Sequence, residues 1–259
     1  MSPREFCLVE RDGPLTVVTI NRPDVRNALH PPANVELGEV FDAFAADPDQ
    51  WIAIVTGAGD KAFSAGNDLR YTAQGGARLP MPRGFGGLTS RFDLNKPVIA
   101  AVNGFAMGGG FEIALACDLI VADERALFAL PEPKVGMVAL AGGVHRLPRL
   151  IGAKRAMGMM LTGRHVSAAE GKELGFVNEV VPAGTALEAA KRWAAQILEC
   201  SPMSIRATKE AVYRGLDIAD LHEAMEAKYP AVAAFLKSED HVEGPRAFAE
   251  KRKPNWKGR

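Results

Sequence analysis

The chain reads as an α/β domain continued by a helical tail. Through about residue 130, short β-branched or alanine-rich apolar runs alternate with segments of helical periodicity. That alternation indicates strands joined by non-hairpin connections. After that point the recognisable segments are helical. At 259 residues, with 47% hydrophobic and 24% charged side chains, the chain suits one large domain or a domain with a small appendage.

The elements follow in order. Leu15–Ile20 is short and β-branched, hence a strand. Asn21-Arg22-Pro23-Asp24 ends it, since proline cannot continue a ladder. Val35, Leu37, Val40, Phe41 and Phe44 recur at helical spacing and predict a helix over 34–46, stopped by Asp47-Pro48-Asp49. A strand follows at 51–56, and 61–69 reads as a short loop of small residues. Residues 72–91 hold five glycines and two prolines with no clear period, an irregular segment of the kind that is often functional. Strands are expected at 98–102, 119–122 and 126–130, with a buried helix at 109–117. The stretch 136–143 reads as a glycine-rich loop. Helices follow at 153–161, 185–200, 204–214 and 219–235, the last broken or kinked at Pro230. Ser167-Ala168-Ala169-Glu170 is a capping box, and Asp240 is expected to cap a final helix to about Lys251.

Composition excludes several classes. Formal net charge is zero, so no global field recruits nucleic acid or an anionic membrane. Cys7, Cys117 and Cys200 are odd in number and lack CxxC spacing, which argues against a disulfide framework or zinc site and suits a reducing compartment. The N-terminus has charges on both sides of a very short apolar core, unlike a signal or transit peptide. The apolar 97–122 region is interrupted by glycines, Glu112 and Asp118, unlike a membrane span. A cytoplasmic protein is expected.

Within that region the chain runs through Asn103-Gly104 and three consecutive glycines, Gly108 to Gly110, into an apolar run broken by Glu112. No Lys or Arg lies between Lys96 and Arg125, so Glu112 has no local partner for its charge. An unpaired buried carboxylate costs several kcal/mol or shifts its pKa, which points to use. The triplet is not a dinucleotide fingerprint or a P-loop, because neither GxGxxG nor GK[ST] is present there. Asp118 is expected to hydrogen bond at a helix end, and His145 to pack or hydrogen bond.

Three segments resemble the crotonase, or enoyl-CoA hydratase/isomerase, superfamily: Ala62 to Leu69 (AFSAGNDL), Ala101 to Glu112 (AVNGFAMGGGFE) and Ala129 to Gly136 (ALPEPKVG). Asn21-Arg22-Pro23, Asn27-Ala28-Leu29, Leu161-Thr162-Gly163-Arg164 and the closing Ala247 to Pro254 add to the likeness, which spans nearly the whole chain. The resemblance implies a core of stacked β-β-α turns over 1–195 and a C-terminal helical trimerisation region over 196–259. It also implies a homotrimer or homohexamer, an acyl-CoA substrate, and no cofactor beyond the CoA that the substrate carries.

The family stabilises an enolate-like intermediate with two backbone N–H groups, which the resemblance places on Asn67 and Gly109. Glycine there allows close backbone approach, and a helix start at the triplet aims free N–H groups at an anion. Glu112 and Glu132, twenty positions apart, match the two carboxylates of the hydratases. Glu112 is then the base toward water, and Glu132 the proton donor to the α carbon. For substrate and CoA binding the resemblance implies Arg26, Ala28, Ala65, Gly66, Asn67, Asp68, Leu69, Gly109 and Leu140, with Lys251 and Lys253 reaching a neighbouring subunit's CoA phosphate.

Several positions depart from the common hydratase pattern. Asn67 replaces a frequent alanine, Phe111 is bulkier than usual, and Ala139-Leu140-Ala141 replaces a common Pro-Gly, all of which bear on acyl specificity. The expected reaction is syn addition of water to a trans-2-enoyl-CoA. The alternatives are a crotonobetainyl/carnitinyl-CoA hydratase, whose branch the FALPEPKVG segment also resembles, an enoyl-CoA isomerase, and, from another class, a non-catalytic RNA binder. The intact carboxylate pair and neutral charge argue against the last.

Overall fold

The computed structural model describes residues 4–77 and 79–259. Residues 1–3 of the N-terminal stretch and Arg78 of the irregular segment lie outside the described residues.

Strands β1 (Cys7–Asp12), β2 (Leu15–Ile20), β3 (Ile52–Gly57), β5 (Val98–Val102), β7 (Leu119–Asp123) and β10 (Glu179–Val181) form a six-stranded sheet in the order β1-β2-β3-β5-β7-β10. Only the β1–β2 hairpin is antiparallel. Strands β4 (Ala62–Ser64), β6 (Phe105–Met107), β8 (Leu127–Ala129) and β9 (Val166–Ser167) form a second sheet in the order β4-β6-β8-β9, parallel except for its last pair.

Together these give a spiral. Each turn lays one strand in the large sheet, one in the small sheet, and then a helix or helical turn. The turns are β3–β4–α2 (Leu69–Ala73), β5–β6–α3 (Gly109–Ala116), and β7–β8 followed by a 3-10 turn at Glu132–Val135. Parallel pairing of β3, β5 and β7, and of β4, β6 and β8, stacks the turns.

The central strands β2, β3, β5 and β7 are buried on both faces, which explains their continuous apolar runs. Alternation along each strand divides the core in two. Ala53, Val55, Val98, Ala100 and Val102 face a cluster with Leu37, Phe41 and Phe44 of α1 (Pro31–Ala46) and Phe111 of α3. Ile52, Ile54, Ile99 and Ala101 face the opposite side, against Ala186, Ala189, Ala190 and Ala194 of α7 (Ala186–Leu198). The small alanine stripe lets that helix sit close to the strands.

Several boundaries differ from expectation. Helix α1 begins at Pro31, not 34, because prolines fit the first turn and His30 caps it. The loop expected over 136–143 leads into a helix not foreseen, α4 (Gly143–Ile151), ahead of α5 (Ala153–Thr162). Ser167 caps α6 (Ala168–Leu174), but Glu170 does not reach back to complete the box. It pairs with Arg164 at 2.6 Å instead. The 219–235 segment is two helices, α9 (Leu221–Glu226) and α10 (Pro230–Phe235), both packed near α8 (Pro202–Gly215). Ser238, not Asp240, caps α11 (Glu239–Ala249). Asp240 is buried within it, accepting from Ser201 Oγ and from the backbone N–H groups of Lys257 and Gly258.

Asp118 accepts from the Val98 N–H at 2.7 Å and pairs with Lys209 of α8 at 2.7 Å, tying the C-terminal helices to the sheet. Among the described residues, no helix is long and apolar enough to cross a membrane.

Candidate active site

The site is assembled just past the carboxyl ends of the parallel strands β4, β6 and β8, the end at which parallel sheets commonly bind ligands. Asn67 lies three residues beyond β4, Gly109 two beyond β6, and Glu132 three beyond β8.

Residues 26–29 fix the first of these. Asn27 is buried in a left-handed conformation, φ 56°. Its side chain accepts from the Arg22 N–H at 2.9 Å and donates to the carbonyls of Ala58 (2.9 Å) and Ala62 (2.7 Å). The Ala65 N–H donates to the Arg26 carbonyl at 2.9 Å, the Leu29 N–H to Gly66 at 2.8 Å, and the Asp68 N–H to Leu29 at 3.0 Å. In this parallel bridge Leu29 uses the groups flanking Asn67. The N–H of Asn67 is therefore directed to the opposite edge.

That edge faces the glycine triplet. A Cβ on Gly66 would lie 2.9 Å from the Gly109 nitrogen, which bounds how closely the two segments pass. Gly109 opens α3, so its N–H has no acceptor in the preceding turn. The ring of Phe85, from the glycine-rich 72–91 segment, lies where any side chain on Gly109 would go, 2.5 Å from its Cβ position.

Glu112 stands in the first turn of α3 and is 3% exposed. Its partner is distant in sequence, which local inspection missed: the Gly143 N–H at the start of α4 donates to its Oε1 at 2.8 Å. Burial pushes its pKa up to about 7. The Gly143 and Ala141 N–H groups and Arg146 oppose that rise, while Glu132 adds to it.

Glu132 is brought in by the β6–β8 ladder, continued by the Gly108 N–H to the Ala129 carbonyl at 2.9 Å. Its Oε1 lies 2.8 Å from the Cβ position of Gly108, whose φ of 53° and ψ of −122° suit glycine. Burial also raises the Glu132 pKa, against a lowering by its own backbone N–H. Its Oε2 is buried with no hydrogen-bond partner among the described residues. Both carboxyls resist ionisation because of burial, and the Glu132 charge further disfavours that of Glu112, an arrangement suited to exchanging a proton with a substrate.

The remaining candidates are arranged around this cluster unevenly. Asp68 caps α2 and pairs with Arg22 at 3.0 Å, while Arg22 also donates to the Ala28 carbonyl. Burial opposes ionisation of Asp68, but the Tyr71 N–H and the Arg22 guanidinium outweigh it and hold the pKa low. Ala28 and Gly66 are buried, Ala65 half-buried, and Leu69 exposed. Arg26 is exposed and lines a groove of about 210 Å³ with Asn27, Asp60 and Lys61. Leu140 is 77% exposed, Lys251 and Lys253 are exposed beyond α11, and His145 is exposed on α4 rather than packed. Phe111 turns away from the site into an aromatic cluster with Phe128 (5.2 Å) and Phe176 (5.1 Å), so its bulk fills the core rather than the acyl slot.

Gly143, Phe85 and Arg146 were not foreseen as site residues. The Gly142-Gly143 pair ahead of Val144, Leu147 and Ile151 was the available signal for α4. Among the described residues no group of three His, Cys, Asp or Glu side chains is placed to hold a metal.

Comparisons with known proteins extend the geometry. The sequence profile of the Enoyl-CoA hydratase/isomerase family matches residues 10–259. A carnitinyl-CoA dehydratase of Citrobacter koseri is 46% identical over 96% of this chain and 97% of its own. Its counterpart in Salmonella typhimurium is 47% identical over the same shares. Among solved structures, an enoyl-CoA hydratase of Mycobacterium tuberculosis H37Rv superposes with a TM-score of 0.92 at 38% identity, covering 98% of this chain and 99% of that one. A carnitinyl-CoA dehydratase of Mycobacterium avium superposes with a TM-score of 0.78 at 42% identity, covering 99% and 100%.

Proposed function

The chain belongs to the enoyl-CoA hydratase/isomerase family, and from that premise we propose that it reversibly adds water across the double bond of a trans-2-enoyl-CoA. The observation that carries the proposal is the convergence of two carboxyls, the buried Glu112 and the half-buried Glu132, on a glycine-lined helix start.

The thioester oxygen sits between the N–H groups of Asn67 and Gly109. Glu112 takes a proton from water as the water oxygen bonds to the β carbon. The π electrons move onto the thioester as an enolate, whose charge those two donors stabilise. Loss of one such donor typically costs about 10²–10³ in rate. Glu132 then delivers a proton to the α carbon, and the sum is one added water. Burial favours the resting proton on Glu112. That is the starting state for elimination, in which Glu112 protonates the leaving hydroxyl and Glu132 removes the α proton.

A polar or branched acyl chain is the second reading, favoured by the 46–47% identity to proteins named carnitinyl-CoA dehydratase. The groove lined by Arg26 and Lys61 supports CoA binding beside them, and the family resemblance extends the substrate along Ala28, Ala65 to Leu69 and Gly109, with Leu140 at the acyl end. A trimeric or hexameric assembly through residues 196–259 is supported by Leu216, Leu221, Met225 and Phe248, each at least 75% exposed. Lys251 and Lys253 would then reach a neighbour's CoA, in a cytoplasmic enzyme.

The test is a panel of enoyl-CoA thioesters, crotonyl-CoA and crotonobetainyl-CoA among them, followed by thioester absorbance and by mass change of one water. Glu112→Gln and Glu132→Gln should each lower kcat by about 10²–10⁴ with little effect on KM, the usual range for a lost acid or base. Activity surviving in both variants would falsify the assignment. A 3-enoyl-CoA converted only to its shifted isomer would favour isomerase chemistry.

A further inference from the structure

We propose that Arg146 is a positioning residue: it clamps the α4 start and the 84–92 segment around Glu112 and supplies the cation against which Glu112 ionises. The proposal rests on the hydratase reading above.

Arg146 sits one turn into α4 and is held from several sides. Its Nη2 donates to the Thr89 carbonyl at 2.9 Å. Its guanidinium lies 5.7 Å from the centroid of the Phe92 ring. Its Nη1 lies beside Gly142, 2.1 Å from where a Cβ there would be, at a residue whose φ of 114° already favours glycine. The next residue, Gly143, donates to Glu112. One side chain thus joins the α4 start that binds Glu112 to the segment that carries Phe85, the ring packed on Gly109.

The charge is as informative as the contacts. Burial works against the Arg146 cation, and Tyr213, Cys117 and Glu112 favour it. A guanidinium remains charged through such an opposition, so it stands as a fixed positive charge in a desolvated setting. Charged groups reach Glu112 from two elements: Glu132, beyond β8, disfavours its ionisation, and Arg146 of α4 favours it. Strands β4, β5 and β6 and the 85–87 turn, which also pack on α3, carry no titratable residue. In β7, Asp123 is paired with Arg125 at 3.0 Å. Asp118, next to Cys117, is paired with Lys209. Arg146 is accordingly the cation that offsets Glu132.

The experiment measures kcat/KM for hydration against pH in the wild type, Arg146→Gln and Arg146→Lys, with thermal unfolding as a fold control. R146Q should move the acid limb upward by about one pH unit, a tenfold loss on that limb, with most activity regained at alkaline pH. R146K should keep the wild-type limb. A uniform loss at every pH, an unmoved limb in R146Q, or the same displacement in R146K would overturn the proposal. Should R146Q not fold, Phe92→Leu loosens the guanidinium while sparing an exposed site. It should raise the limb by a few tenths of a unit, and an unmoved limb would refute the role. Absence of turnover in the wild type would count against the hydratase reading itself.

Discussion

Gly108→Ala separates two consequences of one position. The backbone there has φ 53° and ψ −122°, a region that residues with a Cβ enter at a cost of roughly 1–3 kcal/mol. A domain of this size loses about 2–4 °C of Tm per kcal/mol, so melting should fall by roughly 2–12 °C. The added Cβ would lie 2.8 Å from Glu132 Oε1, about 0.6 Å short of the 3.4 Å at which ordinary contact begins. The carboxylate ends a flexible side chain, so yielding adds little to the stability loss but moves the reacting oxygen. A displacement approaching 1 Å costs about 10²-fold in rate, and kcat for enoyl-CoA hydration should drop by about 10–100-fold with KM nearly constant. Hydration kinetics and thermal unfolding on the same preparation give both values. A variant within threefold of wild-type kcat would refute the placement of Glu132 at the reacting carbon. A melting point unchanged from wild type would refute the backbone part of the reasoning.

Glu112 also makes stability depend on pH. Its folded pKa, about 7, lies above the ordinary 4.5. The folded chain therefore binds the proton more tightly, and stability from this group is full below pH 4.5 and falls as pH rises toward 7. Glu112→Gln should stabilise the fold by about 1–3 kcal/mol at pH 8, with the gain shrinking toward pH 5. Urea unfolding at the two pH values checks the sign. Asn27→Ala removes the buried amide that holds the Ala58 and Ala62 carbonyls and puts alanine in a left-handed conformation. A loss of about 2–4 kcal/mol is expected, read as a lowered urea midpoint, with reduced activity because the bridge presenting Asn67 loosens.

Legibility from sequence followed the range of the forces involved. β5, α3 and β7 were evident because each is apolar on every side, a consequence of burial on both faces that any window reveals. β4, β6 and β9, two or three residues long, hold together only through the turn above or below and have no local signature. α4 was hidden by Pro148 and by the glycines at its start, although those glycines make room for Arg146. The Glu112–Glu132 spacing was visible. That Gly143, thirty-one residues from Glu112, would hold its carboxylate was not, because the contact exists only once α4 packs on α3. Glu170 shows the converse: a correct local motif whose second half went to a better partner, the guanidinium of Arg164.

The spiral has a consequence for how such an enzyme changes over generations. In the proposed mechanism the storeys supply the chemistry from the same ledge: Asn67 from one, Gly109 and Glu112 from the next, Glu132 from the third. The ladder hydrogen bonds set the register of the storeys, while close contacts such as Gly108 against Glu132 and Gly66 against Gly109 couple one ledge to the next. A new acyl preference is therefore reached by changing touching ledges together, the 84–92 segment with the α4 start that Arg146 ties to it.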